Sequence, residues 1–282
     1  MTKGTLVLVG TPIGNLGDLA PRAVAALAEA DVVAADDTRR TRALLSAAGV
    51  PAAGRLVALH AHNEAEVAAR LAQRLGAGAR VAYVTDAGMP AVSDPGYHLI
   101  GACLERGVPV EVVPGPSAAL AALVVSGLPT DRFAFEGFLP RKPASSRAAR
   151  LRALAAEDRT VVLYESPRRL LATLEDLADA CGADRPVAVA RELTKVFETV
   201  WRGTLGEAVA GDAGPEPRGE QVIVLGPAPE ADAPGEAEIR MALVSELETG
   251  ASVRDAATAV AKRLGISRRQ AYELATRLGA SE

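Results

Sequence analysis

Three apolar runs in this chain stop at loops of glycine and proline, and this restricts the fold more than any other feature. The stretches are "VLVGTPIGNLGD" at residues 7–18, "VTDAGMPAVSDPGYHLI" at 84–100 and "VPGPSAA" at 113–119. Each carries the end of a β-prone run into a segment with helical patterning. Strands are predicted at Thr5–Val9, Asp31–Ala35, Leu56–Leu59, Arg80–Thr85 and Val110–Val113. Helices fall between them at Pro21–Glu29, Thr38–Ala48, Glu64–Leu75 and Pro95–Glu105, with Asp18 as a cap for the first. This βαβα rhythm predicts an α/β domain with a mainly parallel sheet over residues 1–117.

After Gly127 the grammar changes. A helix at Ala118–Ser126, capped by Ser117, leads into strands at Phe133–Glu136, Thr160–Tyr164, Val187–Arg191, Phe197–Thr204 and Gln221–Leu225. Two helices intervene, Arg147–Glu157 and Arg168–Cys181. The pattern predicts a second α/β domain over 118–226 with more antiparallel pairing. Residues 227–235, rich in Pro, Ala and acids, read as a linker, and 236–282 as wholly helical. There, Ala257, Val260, Ala261 and Leu264 form one apolar stripe, and Ala271, Leu274, Ala275 and Leu278 a second. Gly265 ends the first helix, and Ser267 with Gln270 makes a capping box for the next. The arrangement is helix-turn-helix-like, with Arg268 and Arg269 opening the second helix. Seven cations balance seven anions in this segment, which argues for an RNA-docking or packing module over a DNA reader.

Composition excludes several classes. Hydrophobic residues make up 49% and aromatics 3%, so the core is built from Ala, Val and Leu. The net charge of −4 confines any nucleic-acid surface to a local patch. One candidate is "LPRKPASSRAARLR", residues 139–152, where Arg141, Lys142, Arg147, Arg150 and Arg152 occur without an acid. Such a cluster suits phosphate contacts, and a solvated helix face is the alternative. Cys103 and Cys181 read as buried free thiols. No apolar run approaches the roughly 18 residues of a membrane span, and a secretory pattern is absent, so a cytoplasmic protein is expected.

The chemistry is bounded in the same way. Neither GxGxxG nor a P-loop is present, there is no GxSxG elbow, and His60, His62 and His98 form no metal-ligand cluster. An organic cofactor with its own reactive group fits better than a nucleophile or a metal. In open α/β sheets ligands bind beyond the carboxyl ends of the strands, where the three glycine-proline loops lie. Asp86, directly after a strand, suits an amine or hydroxyl partner, with a turn cap as the alternative.

Seven motifs in order carry a family resemblance: "TPIGNLGD", "ADDTRRTRALL", "LHAHNE", "TDAGMPAVSDPGYHL", "FEGFLPRK", "LYESPRRL" and "ARELTKVFE". Together they resemble the class III S-adenosylmethionine-dependent methyltransferases of the tetrapyrrole methylase fold. Within that group they are similar to the bacterial 16S ribosomal RNA cytidine 2′-O-methyltransferases. The resemblance implies two α/β domains with S-adenosylmethionine in the cleft between them, a homodimer, and the 16S RNA of the small ribosomal subunit as partner. By position it implies cofactor contacts from Pro12, Asp86, Gly88, Met89, Ser117 and Ala118, closed by Tyr164 and Ala190. A ribose hydroxyl is a poor nucleophile, so a base or electrostatic partner is expected. Asp37, His62, Glu64, Glu165, Glu192 and Lys195 are candidates; Glu192 and Lys195 are favoured, with Arg39 in support. A tetrapyrrole methyltransferase and a ligand-sensing transcription regulator are the rival readings. The basic loop and helical tail argue against the first, and the tail's balanced charge against the second.

Overall fold

The computed structural model of the chain describes residues 4–212, 219–229 and 234–279. The chain divides into two compact units, Met1–Ala228 and Pro229–Glu282. In the first unit, strands β1 (Thr5–Val9), β2 (Val32–Ala35), β3 (Leu56–Ala58), β4 (Arg80–Val84) and β5 (Val110–Val113) form one sheet. Their order is β3-β2-β4-β1-β5, with every pairing parallel. Parallel strands are buried on both faces, which is why β2 reads as an unbroken apolar run. Helices α1 (Pro21–Glu29) and α2 (Thr38–Ala47) cover one face, placing Leu27 and Leu45 against Val7, Val33 and Val84. Helices α3 (Glu64–Gly76) and α4 (Tyr97–Glu105) cover the other, placing Leu71, Leu75 and Leu99 against Leu6, Val81 and Tyr83.

Helix α5 (Ala118–Ser126) starts the second half, and Ser117 caps it by accepting from the Leu120 N–H. The second sheet contains β6 (Phe133–Phe138), β7 (Thr160–Glu165), β8 (Pro186–Arg191), β9 (Thr199–Thr204) and β10 (Gln221–Leu225). Its order is β6-β7-β10-β8-β9, and only β6–β7 is parallel. Helix α5 packs on one face through Ala119, Ala122 and Leu123. Helices α6 (Ala144–Ala155) and α7 (Leu170–Cys181), with the single turn α8 (Leu205–Glu207), pack on the other through Leu154, Leu174, Leu177 and Leu205.

Several local expectations need correction. Asp18 does not cap α1. It ends a short 3-10 turn capped by Asn15, and α1 starts from Ala20 with Pro21 in its first turn and no side-chain cap. Helix α4 starts at Tyr97, two residues later than expected, because Gly96 sits at φ 133°. Its exposed N–H groups are met from α3: the buried Glu64 carboxylate accepts from Gly96 and His98 at 2.8 and 2.9 Å. Strand β9 starts at Thr199, so Val196 and Phe197 stay outside the sheet. Cys103 is buried, whereas Cys181 is only half-buried.

The second unit is a three-helix cluster of α9 (Glu236–Glu248), α10 (Val253–Leu264) and α11 (Arg268–Gly279). Ile239 and Leu243 of α9 pack against the two predicted stripes, forming a small core of their own. Gly265 closes α10 in the left-handed conformation, and Ser267 accepts from the Gln270 N–H at 3.1 Å. Residues 230–233 of the predicted linker lie outside the described residues. Among the described residues no helix is long and apolar enough to cross a membrane.

The first-sheet loops are joined backbone to backbone. Thr11 and Gly88 exchange N–H···O bonds of 2.9 and 3.1 Å, and Gly10 donates to the Val113 carbonyl at 2.9 Å. A Cβ on Gly10 would lie 2.6 Å from the Gly115 nitrogen. Glycine is therefore required there by main-chain packing. Gly10→Ala is expected to lower stability in urea denaturation by about 1–3 kcal/mol, the usual cost of overpacking. Gly101→Ala is the control: it lies in α4 with open space around it. That change should be neutral or stabilising by about 0.5–1 kcal/mol. Equal effects of the two changes would contradict this account.

Candidate functional site

The carboxyl ends of the first sheet's strands face the second sheet across a cavity of about 560 Å³. From the first side it is lined by Pro12, Ile13 and Gly14 after β1, Asp36 and Arg40 after β2, the 86–89 and 92–94 segments after β4, and Ser117 and Ala118 at α5. From the second come Phe138, Tyr164, Ala190, Glu192, Leu193, Lys195, Gly219, Glu220 and Val222. All the cofactor-contact positions expected from the sequence line it: Pro12, Asp86, Gly88, Met89, Ser117, Ala118, Tyr164 and Ala190. A smaller cavity of about 290 Å³ shares Pro12, Gly14, Arg40 and Asp86 with it.

The two sides touch where Gly14 meets the loop after β8. A Cβ on Gly14 would lie 2.5 Å from Lys195 Cγ and 3.0 Å from the Leu193 carbonyl oxygen. Non-glycine residues with positive φ occur at Ala91, Ser93, Glu192 and Thr194. All four lie in the two loops, after β4 and after β8, that frame the cavity. Such conformations cost on the order of 1 kcal/mol or more each and persist where the surroundings over-determine them. Met89 is packed against the ends of β1 and β5: its sulfur accepts from the Gly115 N–H at 3.3 Å and would be 2.8 Å from a Cβ on Gly10.

Carboxylates dominate the electrostatics. Burial pushes Asp94 up to about 6 from its ordinary 3.8, and the negative charges of Asp36, Glu220 and Asp86 add to the rise. Asp36 is raised by burial and then by Asp86. Asp86 accepts from the Asp37 N–H at 3.1 Å and pairs with Arg40 at 3.2 Å. Glu192 accepts from Lys195 Nζ at 2.9 Å, with 19% and 39% of the two side chains exposed. Burial also raises the Tyr164 hydroxyl, against which the Ala119 backbone acts, and the Tyr164 ring packs on Phe135 and Phe138 with centroids 5.0 and 5.7 Å away. A cavity with this lining suits a ligand that is cationic at one end and apolar along its body.

The structure separates the candidate bases. Glu165 is fully buried and spends its oxygens on Ser166, Thr173 and Arg169, which makes it a structural anchor for the start of α7. Glu64 is the buried cap of α4 described above. Asp37 caps α2 and binds the Arg39 guanidinium, which holds its carboxyl well below the usual range. His62 is exposed and outside the cavity lining. Arg39 is a correction: its side chain is 86% exposed on Asp37 and does not line the cavity, whereas Arg40, one residue on, does. Helical rotation of about 100° per residue separates the two directions.

The basic segment is only partly free to meet a ligand. Arg147 is 16% exposed and held by Asp176 at 2.6 Å and the Thr173 hydroxyl at 3.0 Å, so it braces α6 on α7. Arg150 pairs with Glu136 at 3.0 Å. Arg141, Lys142 and Arg152 are exposed. In the C-terminal unit Arg268 and Arg269 are exposed in the first turn of α11, with Arg269 paired to Glu273 at 2.9 Å. Among the described residues no group of His, Cys, Asp and Glu is arranged to hold a metal ion. Sequence reasoning missed Asp36, Arg40, Asp94 and Glu220 as cavity residues. Asp36, Arg40 and Asp94 lie inside quoted motifs, and the position of Asp36 directly after the predicted second strand is the available signal.

Comparison with known proteins agrees with this architecture. Residues 5–209 match the family Tetrapyrrole (Corrin/Porphyrin) Methylases. A Mycobacterium tuberculosis protein named ribosomal RNA small subunit methyltransferase I is 47% identical over 97% of this chain and 95% of its own length. The protein of that name from Escherichia coli O157:H7 is 44% identical over 97% of this chain and 95% of its own. Among solved structures, a Thermus thermophilus uroporphyrin-III C-methyltransferase complexed with S-adenosylhomocysteine is similar at 25% identity and a TM-score of 0.55. It covers 78% of this chain and 96% of that one. The chain belongs to the tetrapyrrole methylase family and, within it, to the ribosomal RNA small subunit methyltransferases I.

Proposed function

We propose that this protein transfers a methyl group from S-adenosylmethionine to the 2′-hydroxyl of a cytidine in the 16S ribosomal RNA of the small subunit, in the cytoplasm. The observation that carries the reading is near-full-length identity of 47% to a small-subunit ribosomal RNA methyltransferase. The cavity supports it: its volume of about 560 Å³ suits a cofactor of this size, and its carboxylates suit a sulfonium and an ammonium. When bound, the cofactor supplies a methyl carbon activated by positive sulfur. Asp86 and Asp94 hold the cationic groups. Pro12, Gly88, Met89, Ser117, Ala118, Tyr164 and Ala190 form the walls.

Glu192 takes the proton of the acceptor hydroxyl, and Lys195, 2.9 Å from it, steadies the charge developing on that oxygen. Arg40, in place of Arg39, faces a phosphate near the acceptor. Exposed Arg141, Lys142 and Arg152 extend the RNA path, since their segment continues directly from Phe138 in the cavity wall. Arg268 and Arg269 give the C-terminal unit a docking edge. The protein works as a homodimer: Leu120 and Val124 lie four apart on α5 and are 50% and 74% exposed, an apolar stripe suited to a second copy.

The test is transfer of labelled methyl groups to small subunits that lack the modification, followed by nucleoside analysis. Label should appear as 2′-O-methylcytidine. Glu192→Gln should slow turnover by about 10²–10⁴-fold and leave cofactor affinity within about twofold. Label on a base carbon, or preferential methylation of a tetrapyrrole, would overturn the reading.

The position of Asp94 also sets a pH dependence. Its folded value is raised, so between about pH 4 and 6 the folded protein keeps a proton that the unfolded chain has released. Stability from this group is therefore present at low pH and declines as pH rises through that window. Cofactor binding runs the other way, because a cation favours ionised Asp94. Calorimetry should show affinity for S-adenosylmethionine weakening below pH 6, by up to about tenfold per unit. Asp94→Asn should flatten the profile; an unchanged profile in that variant would remove Asp94 from the site.

A further inference from the structure

The turn Lys195–Glu198 is built against the rules of turn chemistry. Turn tips favour Gly, Asn, Asp, Pro and Ser. Here the tip residues are Val196 and Phe197, 92% and 76% exposed, in a chain with only four phenylalanines. The turn is nonetheless tightly held. Glu198 N–H donates to the Lys195 carbonyl at 3.2 Å, and Lys195 N–H donates to the Glu192 carbonyl at 2.9 Å. The Glu198 carboxylate accepts from the Thr194 N–H at 2.6 Å. Glu192 and Thr194 both carry positive φ, and the Thr194 hydroxyl oxygen is buried without a hydrogen bond. Strain and desolvation are thus accepted in a loop that lifts a benzyl ring into solvent. At the loop's root Glu192, Leu193 and Lys195 line the cavity.

We propose that Phe197 is a stacking platform for a base of the RNA substrate at the cavity mouth, and that it holds the strand so that the acceptor ribose reaches Glu192 and Lys195. This rests on the methyltransferase reading above. The occupant is single-stranded RNA because an exposed aromatic ring two residues from the cavity-lining Lys195 offers the π face that an unstacked base recognises. The rigidity of the turn fits this role, since a preorganised ring loses little freedom when a base settles on it. Val196, at the same tip, widens the apolar ledge.

Steady-state methylation of small subunits tests the proposal. Phe197→Ala should raise the KM for subunits by about 5-fold to 150-fold, the range seen when a base loses an aromatic partner. Affinity for S-adenosylmethionine and the melting temperature should not change. Phe197→Trp should restore the KM, whereas Phe197→Leu, apolar but without a π face, should not. The salt dependence of RNA binding should keep its slope, because no phosphate contact is lost. A wild-type KM in Phe197→Ala, or full rescue by leucine, would overturn the proposal. So would a shift in sedimentation with no change in KM, which would assign the turn to a contact between copies. If the wild-type protein transfers no methyl group to subunits, the methyltransferase reading fails first and takes this proposal with it.

Discussion

The strand-end loops of the first sheet depend on main chain meeting main chain at Gly10 and Gly115. The ends of β1 and β5 approach so closely that no side chain fits between them. The Thr11–Gly88 bridge ties the end of β4 to the same point. Three strand ends are thereby fixed by backbone contacts, which are stiffer than side-chain contacts. The loops that leave them are aimed at one place. Glycines here serve protein packing first, and the cavity follows from it. Of the opening "GTPIGN", only Pro12, Ile13 and Gly14 reach the cavity, while Gly10 stands behind it holding Gly115.

On that frame the electrostatics are deliberately unbalanced. Burial and the neighbouring carboxylates Asp86 and Glu220 raise the cost of ionising Asp36 and Asp94, an arrangement that persists only if something offsets it. A cationic ligand is the direct remedy. Across the cavity from Asp36, Asp86 and Asp94, Lys195 and Glu192 form a pair on a loop with left-handed residues. Among the described residues the non-glycine left-handed positions lie in the two loops that frame the cavity, while the first sheet behind them keeps an unbroken parallel register.

Much of this was legible in the sequence because the signals were local. Strand ends at Val9 and Val113, the Ser117 cap and the stripes of the C-terminal helices are all set by short-range rules, and the structure follows them. The positions that the family resemblance marks as cofactor contacts line one cavity. What was not legible depends on partners distant in sequence. Arg147 looks like a free cation until Asp176 and Thr173 are brought beside it by α7. Glu64 and Glu165 look like bases until their oxygens are seen to be occupied. Arg39 and Arg40 differ by one step of a helix, which single-sequence reading does not resolve. Phe197 looked like the start of a strand because its residue type favours one; the turn that excludes it is fixed by the Glu198 carboxylate reaching back to Thr194.

The cavity is one structure made by two sheets, closed where Gly14 meets the loop after β8. The most direct measurement is the calorimetric affinity of Gly14→Ala for S-adenosylmethionine. An added methyl group would press on Lys195 Cγ at 2.5 Å and the Leu193 carbonyl at 3.0 Å and part the two walls. The account predicts binding weaker by at least about tenfold in a protein that remains folded. Wild-type affinity in that variant would contradict it.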